Sequence, residues 1–261
     1  MALLDRLFKL REESDEAKPF LQHLEELRWM LIKMALALGI CMAGSLFFQK
    51  DLVNFMEGPL NQIDPSLVSK LQNLGVIDPI TISFSLAFYA GIILCFPLLL
   101  FFLAQFIVPA LTRKEKNIVF PAIALGFALF LSGVALCYYF ILPQTLKFCY
   151  QYSQSLNFAP TWTVREYFSF VTQMMLAFGA AFELPVAIIV LVYLEFASFQ
   201  LLNRTRPYAY VLVLTLAAII APTPDPLSFL ALGVPMCLLY EGCIWLAWLL
   251  EKRRKTGLES A

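Results

Sequence analysis

Charged residues are scarce in this chain: Asp, Glu, Lys and Arg make up only 15% of its 261 residues, while hydrophobic residues make up 60%. A soluble domain carries about 25% charged residues, and the apolar surplus here lies in runs of roughly 14 to 28 residues. Histidine occurs once, at His23, which excludes a metal site built from several histidine ligands. The six cysteines form no CxxC pair, and neither HExxH nor GxSxG occurs. The sequence therefore excludes a soluble enzyme and a disulfide-stapled module, and it predicts no catalytic residue, metal or cofactor.

Six apolar runs are long enough, or nearly so, to cross a bilayer as helices. They cover residues 29–48, 81–108, 118–142, 167–194, 208–221 and 227–250. The sequence therefore predicts an all-α polytopic membrane protein with six transmembrane helices. Residues 1–261 are expected to form one domain, in which segment 1–28 precedes the first span and a tail, 251–261, follows the last.

The fifth apolar run is short. At 1.5 Å per residue it would extend about 21 Å, against a hydrocarbon core of about 30 Å. Proline supplies no N–H and blocks the preceding helical turn, so Pro222 and Pro224 are expected to end this span sharply. The mismatch predicts a locally thinned bilayer beside it. Structural roles are also expected for four other prolines, Pro59, Pro109, Pro185 and Pro235.

Lysine and arginine are unevenly divided between the two ends of the predicted spans. Fourteen lie before the first span or after the second, fourth and sixth spans, and four lie in the other connections. Because cytoplasmic segments carry the excess of Lys and Arg, both termini are predicted to be cytoplasmic. No basic face is concentrated enough for nucleic acid. The long connections 49–79 and 143–166 are expected to form caps on the opposite side, with a short helix over 51–56.

Two carboxylates lie inside predicted spans. An acid at membrane depth costs about 2.5–3.5 kcal/mol on insertion scales and marks a functional candidate. Glu183 in the fourth span is such a candidate, with Pro185 expected to kink the helix beside it; the alternative is a Glu183 that is protonated or hydrogen-bonded to a neighbouring helix. Glu241 in the sixth span has a structural hydrogen bond as its alternative. Gln173 fits a polar contact between helices.

A second group of acids lies at the predicted cytoplasmic boundary. Segment 20–31 is predicted to be an amphipathic helix that leads into the first span, because its apolar residues recur at spacings of three and four. The same segment contains His23, Glu25, Glu26 and Arg28. Glu115 opens the third span, where an acid also complements the helix dipole by about 0.3–1 kcal/mol.

Together these residues resemble one family, TatC, the multispanning core of the twin-arginine protein translocase. The resemblance covers roughly residues 19–250 and rests on the order and spacing of five motifs. The motifs are His23-Leu-Glu-Glu-Leu-Arg28, Phe106-Ile-Val-Pro-Ala-Leu111 with Glu115, Phe182-Glu-Leu-Pro185, Arg206-Pro-Tyr208, and Thr223-Pro-Asp225 with Pro235 and Leu239-Tyr-Glu241.

The resemblance implies a Sec-independent receptor with a glove-like, concave helix bundle. We expect it in the bacterial inner membrane, and a plastid's thylakoid membrane stays open as the alternative. Such a protein binds the twin-arginine signal peptides of folded substrates, associates with TatA- and TatB-like single-span proteins and with itself, and serves transport driven by the proton-motive force. Glu26 and Glu115 match the acids that meet the paired arginines in the family. Leu24, Leu27 and Arg28 would shape that surface and His23 would orient it.

The resemblance also assigns polar contacts near the partner spans. It places Glu183 on the concave face and Asp225 at the outer end of the fifth span. Ala221 and Phe229 stand where the family often has polar residues that contact a TatA or TatB span. Two rival functions stay open: a proton-coupled small-solute transporter that uses Glu183 and Glu241 as a relay, and a membrane scaffold without a ligand.

Overall fold

The structure, a computed structural model, describes residues 20–107, 116–158, 161–193, 197–221 and 225–259. Within these ranges the regular secondary structure is helical, apart from one isolated parallel bridge between Gln72 and Thr163, and turns and short irregular segments connect the helices. The all-α prediction is confirmed.

The helices follow one another with short connections. In chain order they are α1 (Phe20–Phe47), α2 (Gln49–Met56), α3 (Gly58–Asn61), α4 (Ser66–Ser69), α5 (Asp78–Ile107), α6 (Lys116–Leu136), a π-helical turn (Cys137–Ile141), α7 (Leu142–Ser155), α8 (Val164–Ala181), α9 (Leu184–Tyr193), α10 (Phe199–Arg204), α11 (Arg206–Ile220) and α12 (Pro226–Glu259). Helix α1 is continuous through the predicted amphipathic segment and the first span.

Five helical segments among the described residues are long and apolar enough to cross a membrane. They are Leu24–Phe47, Asp78–Phe106, Val119–Ser155, Val164–Tyr193 and Pro226–Leu249. The shorter apolar helix α11 corresponds to the predicted fifth span. Each of the six predicted apolar runs thus coincides with one or more helices in the parts that the structure describes, and the chain is a multi-pass membrane protein.

The third span is longer than the sequence predicts. We expected it to end at residue 142 and to be followed by a cap over 143–166, but the helix continues through the π-helical turn and α7 to Ser155. Pro143 has no N–H to donate, and the turn directly before it widens the helix, with the Leu142 N–H donating to the Cys137 carbonyl. The prediction was wrong because the end of the apolar run was used as the end of the helix, whereas the helix continues past Pro143 by way of the π turn.

The fourth span is divided in two. Helix α8 ends at Ala181, Phe182 and Glu183 form a turn, and α9 begins at Leu184, one residue before Pro185. The sequence predicted a kink beside Pro185, and the structure has a full interruption between two helices at this place. In the sixth span, by contrast, α12 continues to Glu259, so most of the expected tail is helical. Hydropathy marks where the apolar run ends and carries no information about where the helix ends.

Helix α8 lies at the centre of the packing. Its Val171, Met174 and Phe178 are fully buried. A Cβ on Gly179 would lie 2.6 Å from the ring of Phe130 in α6, and a Cβ on Gly133 of α6 would lie 2.7 Å from the Phe178 carbonyl oxygen. Such distances admit only glycine, so the two helices are in close backbone contact. This contact lies directly before the end of α8 at Ala181.

Tyrosine hydroxyls join the short helices after α1 to the rest of the bundle. Tyr167 in α8 donates to the Met56 carbonyl at 2.7 Å in a buried site, and Tyr138 donates to the Phe55 carbonyl at 2.6 Å. The bridge between Gln72 and Thr163 adds two backbone hydrogen bonds of 3.0 Å. We call this end of the bundle, formed by α2–α4 and residues 70–77 and 161–163, the cap end. The predicted cap over 49–79 is a set of short helices, including the expected one over 51–56.

Candidate functional site

A cleft of about 290 Å³ separates the first turns of α1 from the last turns of α5. Its lining residues follow helical spacing in both helices: Glu26, Trp29, Met30, Lys33, Phe102, Gln105 and Phe106. We call it the Glu26 cleft. The side chain of Glu26 is half-buried and takes part in further contacts, whereas the neighbouring Glu25 is exposed and does not line the cleft.

The residues around Glu26 form a surface of mixed character. Leu24 is exposed and Leu27 is half-buried, and the exposed Arg28 guanidinium lies 5.8 Å from the centre of the Trp29 ring. This distance is within the range of a cation–π interaction. The cleft therefore combines the Glu26 carboxylate and the Lys33 ammonium group with aromatic and aliphatic walls. The carboxylate and the apolar walls suit a cationic side chain attached to an apolar segment.

The sequence patterns indicated the α1 side of this cleft but not its α5 side. Phe102, Gln105 and Phe106 were not predicted as site residues. Their spacing of three and four along an apolar run was visible, but such a pattern is common to buried helices and does not by itself indicate a partner.

Several expected site residues lie outside the part of the chain that can be described. Glu115 and Pro109 fall in 108–115, and Pro222 and Pro224 fall in 222–224. His23 belongs to the first turn of α1. Helix α6 begins at Lys116, directly after Glu115 in the chain, and α5 and α6 pack against each other.

Glu183 faces the inner side of the bundle at the break between α8 and α9. A Cβ on Gly126 of α6 would lie 3.0 Å from its Oε2 and 3.1 Å from a methyl carbon of Leu100 in α5. Its Oε1 is buried and has no hydrogen-bond partner among the described residues. Gln173 donates to the Ser169 hydroxyl at 3.0 Å, within its own helix. The contact of Gln173 with another helix stays a prediction.

Glu241 has two partners on the neighbouring short helix. The Tyr210 hydroxyl donates to its Oε1, and the Arg206 Nη2 lies 3.2 Å from its Oε2. These contacts correspond to the structural alternative that the sequence left open. They hold the Arg206 end of α11 against α12. Glu183 packs against α5 and α6 instead, and no hydrogen bond in the described ranges joins the two carboxylates.

Asp225 and the described prolines act on helix ends and helix interiors. Asp225 Oδ2 accepts the Ser228 N–H at 2.7 Å and so caps α12. Pro59 is buried in the first turn of α3, and Pro185 is buried in the first turn of α9. Pro235 lies inside α12. No group of three potential metal ligands occurs in the described part of the chain.

Comparison with known proteins gives one consistent answer. The family model for the Sec-independent protein translocase protein TatC matches residues 22–235. TatC of Akkermansia muciniphila is 44% identical over 172 residues, which are 66% of this chain and 49% of that protein, so this chain spans about half of that relative. TatCy of Bacillus subtilis is 32% identical over 85% of each chain, and TatC of Listeria innocua is 36% identical over 84% of this chain and 87% of its own.

A solved structure agrees with these relatives. The crystal structure of the twin-arginine translocase receptor TatC superposes with a TM-score of 0.77 at 32% identity, covering 87% of this chain and 98% of that one. The broken fourth span, the short α11 and the matched motifs thus occur in a chain whose sequence and fold agree with one family. This protein belongs to the TatC family of Sec-independent protein translocase proteins.

Proposed function

We propose that this chain is the receptor of a twin-arginine translocase and that Glu26 and Glu115 bind the two arginines of the signal peptide. The observation that carries the proposal is the Glu26 cleft, where a half-buried carboxylate lies beside aromatic and aliphatic side chains of α1 and α5. A signal peptide presents cationic and apolar residues in sequence, which matches this combination.

Two carboxylates explain selectivity for arginine over lysine. The planar guanidinium donates two parallel hydrogen bonds to one carboxylate, whereas an ammonium group offers a point charge. Hydrogen bonds to charged groups contribute about 1.5–3 kcal/mol each. Glu115 directly precedes α6, which packs against the α5 wall of the cleft. This proximity in the chain supports its role as the second carboxylate.

The wider proposal follows the family. The partners would be TatA- and TatB-like single-span proteins, further copies of this chain, and folded cargo carrying twin-arginine signal peptides. The location would be the bacterial cytoplasmic membrane, with residues 1–261 as one six-span domain and both termini cytoplasmic, since fourteen lysines and arginines lie on that side. The protein would act as a binding and transport component without catalysis. A proton relay between Glu183 and Glu241 is not favoured, because Glu241 is paired with Arg206 and Tyr210.

Binding of a fluorescent twin-arginine signal peptide to the full chain in nanodiscs tests the proposal. Glu26→Gln removes one carboxylate with little change of shape, and we expect binding to weaken about 10- to 150-fold, which corresponds to 1.5–3 kcal/mol. Glu115→Gln should have a similar effect. Glu25→Gln is the matched control, because it removes the same charge from an exposed neighbour outside the cleft, and it should change binding by less than about twofold.

The peptide provides a second control. A peptide with Lys-Lys in place of Arg-Arg should bind the unaltered protein weakly, and Glu26→Gln should weaken its binding less than that of the Arg-Arg peptide, because an ammonium group makes only a point-charge contact. Equal binding of the two peptides, or equal effects of Glu25→Gln and Glu26→Gln, would contradict the assignment of the arginine site.

A further inference from the structure

The turn that leads into α5 at the cap end exposes a group of aliphatic side chains. Val76 is 97% exposed, Leu74 71% and Ile77 68%. We call these three residues the apolar tip. Side chains of this kind are normally removed from water, and three within four residues form a concentrated apolar surface.

The apolar tip belongs to a well-defined turn. The Asp78 carboxylate accepts the Gly75 N–H at 2.8 Å, and the Asp78 N–H donates to the Gly75 carbonyl at 3.2 Å. Arg165 lies 3.6 Å from the same carboxylate, and the hydrogen-bonded bridge between Gln72 and Thr163 holds the start of the loop. A Cβ on Gly75 would lie 2.6 Å from the Asp78 carboxylate, so a larger residue at this position would displace the carboxylate that accepts the Gly75 N–H. The exposure of the tip is therefore fixed by hydrogen bonds.

The tip continues an apolar stripe of α5. Ile80, Phe84 and Phe88 follow at intervals of four residues, are all exposed, and lie within the membrane-spanning segment Asp78–Phe106. Residues four apart share one face of a helix, so this stripe contacts lipid. The surface of the tip is thus continuous with a lipid-facing surface, while the polar residues Gln72 and Asn73 precede it.

We propose that the apolar tip inserts into the bilayer leaflet at the cap end and anchors the start of α5 at the membrane interface. Apolar side chains gain by entering the acyl region, as in interfacial membrane anchors. The ion pair of Asp78 and Arg165 lies at the neighbouring position, where the headgroup region can hydrate it, and the Arg165 side chain is largely exposed.

The anchor has a consequence for the opposite end of α5. A helix of 30 residues is about 45 Å long, whereas about 20 residues cross the hydrocarbon core. With Asp78 held at one interface, the surplus projects beyond the other, and Phe102, Gln105 and Phe106 reach the headgroup region. The Glu26 cleft is then accessible from water. The anchor itself does not depend on the proposed recognition of arginine.

Spin labelling of the full chain in nanodiscs tests the anchor. The parent is Cys149→Ser, because Cys149 is an exposed cysteine, and the parent without an added cysteine measures background labelling of the remaining thiols. Val76→Cys reports the tip. Asn73→Cys, three residues earlier on the polar side of the same loop, is the matched control. Both positions are exposed, so neither label disturbs the packing.

The measurement compares the collision rates of each label with oxygen, which concentrates in lipid, and with a water-soluble nickel chelate.

The expected result is a several-fold higher ratio of oxygen to nickel accessibility at position 76 than at position 73. Two results would overturn the proposal. Equal nickel accessibility at both positions would place the tip in water, and low accessibility to both reagents at position 76 would show that protein covers the tip. Peptide binding measured on the same samples separates this test from that of the arginine site, because loss of binding would not alter the accessibility ratio.

Discussion

Lengthening the short helix α11 tests whether a thinned bilayer serves transport. The helix has 15 residues and is about 22 Å long, so it falls about 8 Å short of the hydrocarbon core. The contacts of Glu241 with Arg206 and Tyr210 hold one end of α11 against α12. The difference between the length of α11 and the thickness of the hydrocarbon core is therefore concentrated at the other end of the helix, near Ala221. Each ångström of mismatch costs a fraction of a kcal/mol, which makes the local deformation worth a few kcal/mol in total.

Insertion of four leucines after Ile220 adds about 6 Å and removes most of the mismatch. We expect export of a folded twin-arginine reporter to be lost, in cells that lack their own TatC, while signal-peptide binding is retained. Insertion of four serines at the same place is the control, because it lengthens the connection equally but leaves the bilayer thin. Unchanged export with leucines, or an equal loss with serines, would refute the reasoning.

Two further predictions concern stability, measured by thermal unfolding in detergent. Gly179→Ala should lower the free energy of unfolding by about 1–3 kcal/mol relative to Gly39→Ala. A Cβ has no room at position 179 but meets nothing within 4 Å at position 39. Equal effects of the two substitutions would contradict the close packing of α6 and α8. Tyr167→Phe should lower the free energy of unfolding by about 1–3 kcal/mol, because it leaves the buried Met56 carbonyl unpaired. Tyr139→Phe, at an exposed position, should leave the free energy of unfolding unchanged. An unchanged stability of Tyr167→Phe would be inconsistent with the hydrogen bond to Met56.

The Glu26 cleft shows which site residues can be predicted from patterns in the sequence. Glu26 was identified because it lies in an amphipathic segment within a motif of the TatC family. Its neighbours across the cleft, Phe102 and Phe106, follow it in the chain by more than 70 residues. The spacing of apolar residues within one helix does not predict which other helix it contacts, because lipid covers an apolar face as well as protein does.

The two intramembrane carboxylates illustrate the same limit. The sequence identified Glu183 and Glu241 as unusual by the same criterion, their depth in apolar runs. The structure separates them: Glu241 is paired with Arg206 and Tyr210, whereas Glu183 has an oxygen without a hydrogen-bond partner among the described residues. Only the packing of α11 on α12 supplies the arginine.

The sequence by itself determined the helical class, the apolar spans, the position of the break beside Pro185 and the short fifth span. These features depend on local hydrophobicity and on the missing N–H of proline, which act within a few residues. The tertiary structure decided the continuation of the third span to Ser155, the hydrogen-bonded turn that exposes Val76 and the walls of the Glu26 cleft. Each of these depends on groups that are distant in the chain or on a change of helix geometry, and therefore on the way in which the helices pack.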